Sequence, residues 1–498
     1  MFPKILKAAL AVLAAGALIL TCAPALGQTS DALGYSVSTP RPINPAEGTT
    51  NPSAQATQAQ NPYLGSVPAK NTGTHMDLSL EEAIARGLRY NLGLIESTQG
   101  NATVRADRLR ALAALLPQIS AGGLAAYEDL SLKEIGLKLP AAPGIAPLPP
   151  TTSGFGYQDT RVSMTQTIYS AELHNQYRSR KAAEEASILN VRDSRDVVVF
   201  AVGTAYVQAI ASAARVETAK AQLASAAELE RLTEDRVKSE VSPEIDSIRA
   251  EVERQSAEQR LTNAVNRHEK DKLALARIIG LAIDQDFSIK DPLAYRPLPG
   301  LAPEETLAQA LRNRSDVRSA EAQVRSAQLA LQAEKGQRIP SVSTSANYGG
   351  AGTTVGNFNQ VFSVVGRVSV PLYTGGRISA DIAQAQSELS RREAEYEDLK
   401  GRVGYDIRVA SLDLNASDSS VKVAEHNKAL AERALAQSKD RYLNGVTNYL
   451  EVVQAQEAVT ASGENYIQSL FSFNVATISL ARAMGAAEAR LPQLLGGK

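Results

Sequence analysis

Few side chains in this 498-residue sequence are placed to do chemistry, and the most suggestive are two carboxylates. Asp246 and Glu451 lie 205 residues apart, the first just after Ser239-Glu240-Val241-Ser242-Pro243 and the second just after Asn444-Gly445-Val446-Thr447-Asn448. Matching acids gathered around a symmetry axis would form a negative constriction that favours cations and repels anions. The plainer alternative is that each is an ordinary solvated helix carboxylate. The histidines, His75, His174, His268 and His426, are scattered, and none has a partner at metal-ligand spacing, so they read as solvated or packed residues. Gly349-Gly350-Ala351-Gly352 lacks the Lys-Ser/Thr and the helix start of a phosphate loop and fits the tip of a strand hairpin, while Gly122-Gly123 fits a strand bend. No nucleophile and base stand together, so neither an enzyme nor a cofactor is predicted.

Composition narrows the class. The 52 basic and 53 acidic residues are interspersed, which argues against a nucleic-acid partner. Trp is absent and Ala dominates the apolar set, a balance suited to long helices packed through small residues. Lys4 and Lys7, an apolar run from Ala8 to Leu20, and Ala25-Leu26-Gly27 predict a signal peptide over 1-27, cleaved before Gln28. Cys22 is the only cysteine, and Ile19-Leu20-Thr21 before it matches a lipidation box poorly; an ordinary cysteine of the apolar signal region is the alternative. Residues 28-76 are rich in Pro, Asn, Gln, Thr and Ser without periodicity and read as an extended arm.

The elements that would position Asp246 and Glu451 are long helices. A helical pattern runs from Leu78 to Leu116, where Pro117 stops it. Between Ser170 and Ser242 there is no Pro and one Gly, Gly203, so a helix of roughly 70 residues, about 100 Å long, is permitted. Val198, Val202, Ala205, Ala209, Ser212, Val216, Ala219, Leu223 and Ala226 alternate spacings of four and three, a narrow seam of the kind that packs helix on helix.

The chain also matches itself. Glu81-Glu82 and Leu116-Pro117 meet Glu304-Glu305 and Ile339-Pro340 at an offset of 223; Ile168-Tyr169 meets Leu372-Tyr373 at 204; Asp235-Arg236 and Leu275-Ala276-Arg277 meet Asp440-Arg441 and Leu480-Ala481-Arg482 at 205. Two internal repeats, 77-290 and 291-488, followed by a tail over 489-498, each read helix, strand, loop, strand, long helix, turn, helix. The extra residues of the first repeat fall in a Pro-rich loop from Glu128 to Gly154.

Four strands are predicted, near 117-127, 155-169, 340-350 and 358-372. Phe362, Val364, Val368, Val370 and Leu372 share one face of the last, against Ser363, Arg367 and Ser369; Val162, Met164 and Ile168 oppose Asp159, Arg161 and Ser163 in the second. A small soluble sheet covered by helices would show the same alternation. A rod of about 100 Å leaving each hairpin cannot fold back over a sheet only about 30 Å tall, so lipid is the cover expected for an exported chain. A membrane strand tolerates no open edge, and single-chain barrels start at eight strands. Three chains pooling four transmembrane strands each would close a 12-stranded barrel with Arg161 and Arg367 in its lumen, continued by an α-helical coiled-coil barrel. The fold expected is mainly α with a β-barrel portion, and the threefold axis would then collect six carboxylates. The other class of reading is a periplasmic coiled-coil scaffold that forms no pore.

From about Leu78 to Gly485 the chain resembles the TolC-like outer membrane efflux proteins. The carrying motifs are Arg441-Tyr442-Leu443-Asn444-Gly445-Val446-Thr447-Asn448-Tyr449-Leu450-Glu451, similar to the family's helix-turn-helix tip; Pro371-Leu372-Tyr373-Thr374-Gly375-Gly376-Arg377, similar to its strand-to-helix passage; and the helix ends at Leu275 and Leu480. The resemblance implies a homotrimeric outer-membrane channel with a periplasmic tunnel, serving tripartite efflux or type I secretion with a periplasmic adaptor and an inner-membrane transporter that supplies the energy. It implies adaptor docking at Gly445, Val446 and Thr447, and at Val241 and Ser242 in the other turn, where Glu240 replaces the usual glycine and puts the turn geometry in question. It also implies that Tyr442 ties the tip closed on an acidic partner, for which Asp246 is the natural candidate; the basic member of that network is missing, since Thr447 stands in its place.

Overall fold

The computed structural model describes residues 61–71, 73–129, 131, 151, 154–297, 303–354 and 357–495. The expected signal peptide with Cys22, most of the arm, most of the Pro-rich loop and the last residues of the tail lie outside the described residues.

Strand β1 (Met76–Leu78) leads into helices α1 (Leu80–Tyr90) and α2 (Leu92–Ala113). The single helical run expected from Leu78 to Leu116 is thus two helices. Asn91 leaves the helical region at φ −64°, ψ 131°, and its side chain accepts from the N–H groups of Gly93 and Leu94, so one residue ends α1 and caps α2. After Pro117 come strands β2 (Gln118–Glu128) and β3 (Phe155–Tyr169), then helices α3 (Ala171–Lys238) and α4 (Glu244–Ile279). Strand β4 (Phe287–Ile289) pairs in parallel with β1. Helices α5 (Pro303–Asn313) and α6 (Ser315–Gly336), strands β5 (Ser341–Gly352) and β6 (Phe358–Ser369), helices α7 (Arg377–Leu443) and α8 (Tyr449–Ala483), and the short α9 (Ala487–Leu495) complete the chain. The helices of the two halves agree closely in length: 11 and 11, 22 and 22, 68 and 67, 36 and 35 residues.

At 68 residues α3 is about 100 Å long. It begins at Ser170, whose hydroxyl accepts from Leu173 N–H, and every position of its expected seam is buried except Ala205 and Leu223, which are half-buried. One stretch of α3 is apolar enough to cross a membrane by composition, but more than half of it is buried inside this chain, so helix packing accounts for its character. The principal core gathers where α3 crosses the short elements: Val198, Val199, Val202 and Tyr206 pack with Leu78, Leu80, Ile84, Leu275, Ile279, Ile478 and Leu491. Each such side chain contributes about 1.5–3 kcal/mol relative to exposure. Gly203, the one glycine of α3, lies under Leu491: a Cβ there would meet Leu491 Cδ2 at 2.8 Å. A smaller core in the second half joins Val317, Val403, Ile407, Leu480 and Met484.

The four long strands form one antiparallel sheet in the order β2-β3-β5-β6. Its central pairing, β3 with β5, joins the two halves of the chain, and β2 and β6 are its edges. All four strands meet helices at the same end, through Gln118, Tyr169, Ser341 and Ser369. The register runs unbroken through Gly122 and Gly123; the one shift falls between Thr167 and Tyr169.

Candidate functional site

The residues singled out in the sequence fall in two places in this fold: the sheet and the far tips of the helical hairpins. On the sheet, the register aligns Val162 with Tyr348 and Tyr348 with Phe362, and aligns Ala346 with Val364 and Val342 with Val368. This face carries Ile119, Tyr127, Val162, Tyr348, Phe362, Val364 and Val368, all exposed, with Phe362 at 77% and Val364 at 72%. Leu372 and Tyr373 extend the apolar surface beyond the strand end. A contiguous apolar surface of this kind on a folded chain marks an interface with lipid or protein.

The other face is polar, in rows such as Ser163, Asn347 and Ser363, where Asn347 Nδ2 donates to Ser363 Oγ at 2.9 Å. Arg161 and Arg367 both lie on it, as the alternation predicts, yet in different states. Arg161 is locked to Asp159, with Nε donating to Oδ1 at 2.7 Å and Nη2 to Oδ2 at 2.6 Å, and Tyr157 also donates to Asp159. Arg367 is exposed and has no ion-pair partner among the described residues.

At the helical tips, the turn from α3 to α4 and the turn from α7 to α8 have one geometry. Ser239, Glu240 and Val241 N–H groups donate to the carbonyls of Asp235, Val237 and Arg236; Asn444, Gly445 and Val446 donate to those of Asp440, Tyr442 and Arg441. The last bond of each set, closing from the third residue beyond the helix onto its last turn, needs a left-handed residue between. Gly445 supplies it at φ 71°, and Glu240 supplies it at φ 56°, the only non-glycine residue with positive φ among the described residues. The first turn therefore keeps its shape despite lacking glycine, at a cost of about 1–2 kcal/mol of backbone strain. Both turns project an exposed valine, Val241 at 63% and Val446 at 66%.

Inside the tip, Tyr442 is buried beside Tyr449, Leu229, Ala250 and Val452, with the two rings edge-on at 5.5 Å. Its hydroxyl reaches Ser242 Oγ at 3.4 Å, and within this chain no hydrogen bond to Asp246 occurs among the described residues. A basic side chain does enter the tip, from a different position. Arg236 stacks on the Tyr442 ring at 4.9 Å, donates through Nε to Ser242 Oγ at 3.0 Å and through Nη1 to the Leu443 carbonyl at 2.9 Å. One guanidinium thus bridges the two hairpins. Its signal in the sequence was the repeated Asp-Arg at 235 and 440, which marks the position without showing where the side chain turns.

The two carboxylates, equivalent by position, differ in surroundings. Asp246 is buried and faces Arg249 at 3.8 Å. Glu451 is half-exposed, accepts from Thr447 Oγ1, meets Arg441 at 3.4 Å, and receives its own helix cap from Asn448. Glu451 therefore braces its turn, with one side still open to solvent. Of the histidines, His75 bonds Asp286 at 2.7 Å and His268 meets Ser212 at 3.1 Å, where burial lowers its pKa; no group of three metal-ligating side chains occurs among the described residues.

Comparison with known proteins gives these two places a common frame. Residues 306–486 match the family model for outer membrane efflux proteins. The chain is 26% identical over 330 residues, 64% of its own length and 69% of the relative's, to the solvent efflux pump outer membrane protein SrpC of Pseudomonas putida. It is 24% identical over 422 residues, covering 82% of this chain and 83% of the relative, to the probable efflux pump outer membrane protein SepC, also of Pseudomonas putida. Its fold matches that of the outer membrane protein VceC of Vibrio cholerae with a TM-score of 0.70 over 82% of this chain and 96% of that one, at 18% identity. Helix rods, a four-stranded sheet with an uncovered apolar face and these relatives agree: the chain is similar to the outer membrane efflux proteins, whose family model it matches over residues 306–486.

Proposed function

We propose that three copies of this chain close their sheets into one 12-stranded barrel continued by a helical tunnel, and that this conduit passively passes cargo delivered by an inner-membrane transporter through a periplasmic adaptor. The observation that carries the reading is the sheet: antiparallel throughout, apolar and exposed on one face, and open at the edges formed by β2 and β6. Edges in hydrocarbon must be paired, and a second and third copy can pair them. Val241 and Val446, presented by two turns of one shape, support adaptor docking through both tips, with Ser242, Gly445 and Thr447 setting those turns. Tyr442, held by Arg236 and Ser242, is the proposed closure of the tip, with Glu451 the carboxylate facing the constriction and Asp246 a buried support. SrpC is named for solvents, and an apolar cargo is compatible with a conduit that selects little by itself.

The test is reconstitution of the mature protein. Carbonate-washed outer-membrane vesicles should retain it, cross-linking should stop at three chains, and planar bilayers should show discrete conductance. Release by carbonate would favour a scaffold without a pore and sink this reading. Cysteines at Val241 and Val446 should both cross-link to the adaptor.

A further inference from the structure

We infer that Arg367 and the hydroxyl-bearing side chains around it form an anion-contact collar where the helical tunnel opens into the barrel, a subsite for carboxylate, sulfonate or phosphate groups on passing cargo. The inference rests on the barrel reading above. Arg367 lies two residues from the helix-side end of β6, directly opposite Ser343 of β5, which in turn pairs with Thr167 of β3. The next row brings Thr165 and Ser345 to the same face with Gln118 of β2. These residues line a groove of about 330 Å³. A guanidinium offers several planar donors, and neighbouring hydroxyls and an amide supply adaptable donors to the remaining oxygens of an oxyanion.

The charge balance along the sheet singles this position out. The other arginine on the polar face, Arg161, is neutralised by its two-bond pairing with Asp159. It is also fixed against the sheet, since a Cβ on Gly349 would meet Arg161 Cγ at 2.9 Å. Arg367 has no such partner among the described residues and keeps its full field. Threefold symmetry would repeat that unpaired charge around the lumen, where low-dielectric walls concentrate the potential.

Ion selectivity tests this. In planar bilayers at low ionic strength, where screening is weak, Arg367→Gln should lower chloride permeability relative to potassium roughly two- to tenfold. Inorganic triphosphate added to the wild-type channel should reduce its conductance, and this block should vanish in Arg367→Gln. Removing the neutral pair together, Asp159→Asn with Arg161→Gln, should leave selectivity and block unchanged. A conducting Arg367→Gln channel with wild-type selectivity and triphosphate block overturns the collar. Absence of any conductance in the wild-type protein overturns the barrel reading instead.

Discussion

Glu240 and Gly445 hold the same left-handed backbone conformation, at φ 56° and 71°, in turns that close with the same three hydrogen bonds. A glutamate there pays for a Cβ that glycine lacks. Glu240→Gly should therefore stabilise the first turn by about 0.5–1 kcal/mol, the strain relieved being partly offset by glycine's entropy in the unfolded chain. Gly445→Ala should cost the second turn about 1–2 kcal/mol. Because no atom lies within 4 Å of a Cβ built on Gly445, that cost is backbone strain and not a clash. Hydrogen exchange of the amides at 239–241 and 444–446 measures both effects; unchanged protection in both variants would mean the turns tolerate either residue.

This pair also marks the limit of what could be read before folding. The strand starts, the polar and apolar faces of β3 and β6, and the length of α3 were legible because each follows from local periodicity and from the positions of Pro117, Pro243 and Pro340, whereas β6, expected to reach 372, ends at Ser369. The break at Asn91 was not, since a capping side chain interrupts a helical pattern without altering its apolar spacing. At the tip, position in the repeat located Tyr442, Asp246 and Glu451 but not their partners. Whether a side chain at a helix end turns to its own hairpin, as Glu451 does, or across to the neighbouring one, as Arg236 does, depends on packing between helices distant in sequence.

Arg236 should matter more than the phenol it covers. Its stacking on Tyr442 and its bonds to Ser242 and the Leu443 carbonyl join two hairpins, contributing about 1–3 kcal/mol together. Tyr442→Phe removes only a 3.4 Å contact to Ser242 and keeps both the ring packing and the stacking. Single-channel recording should show Arg236→Gln raising conductance or open lifetime well above Tyr442→Phe. The reverse order would return the closure to the phenol and its acidic partner.

The staple around His75 should depend on pH. The imidazole lies between Asp286 at 2.7 Å and Asp77 at 3.4 Å, with Ser288 bonded as well; the Asp286 hydrogen bond is the main cause raising its pKa above 6.5. A raised folded pKa means the stabilisation is fully present below the unfolded value and fades as pH climbs through the folded one. The difference in thermal midpoint between wild type and His75→Gln should be larger at pH 6 than at pH 8.5. An equal difference at both values would show that the contact acts without its charge.

Gln456 carries a different kind of tension. It lies on the buried stripe of α8 that begins with Tyr449 and Val452, and neither its amide oxygen nor its amide nitrogen has a hydrogen-bond partner among the described residues. Burying such a group unpaired costs about 1–3 kcal/mol. Its counterpart one repeat earlier, Glu251, is exposed on α4, so nothing in the helix plan demands a polar side chain here. Gln456→Met keeps the length and removes the unmet donors and acceptor. It should stabilise the helical hairpin by about that amount, read as slower exchange of amides in α7 and α8 near the tip. If parting of these helices lets water reach the amide, the wild-type residue favours the parted state, and Gln456→Met should also shorten open lifetimes in bilayers. Stabilisation without any change in gating would restrict Gln456 to a static cost, whereas loss of stability would show that its amide gains a partner from another chain.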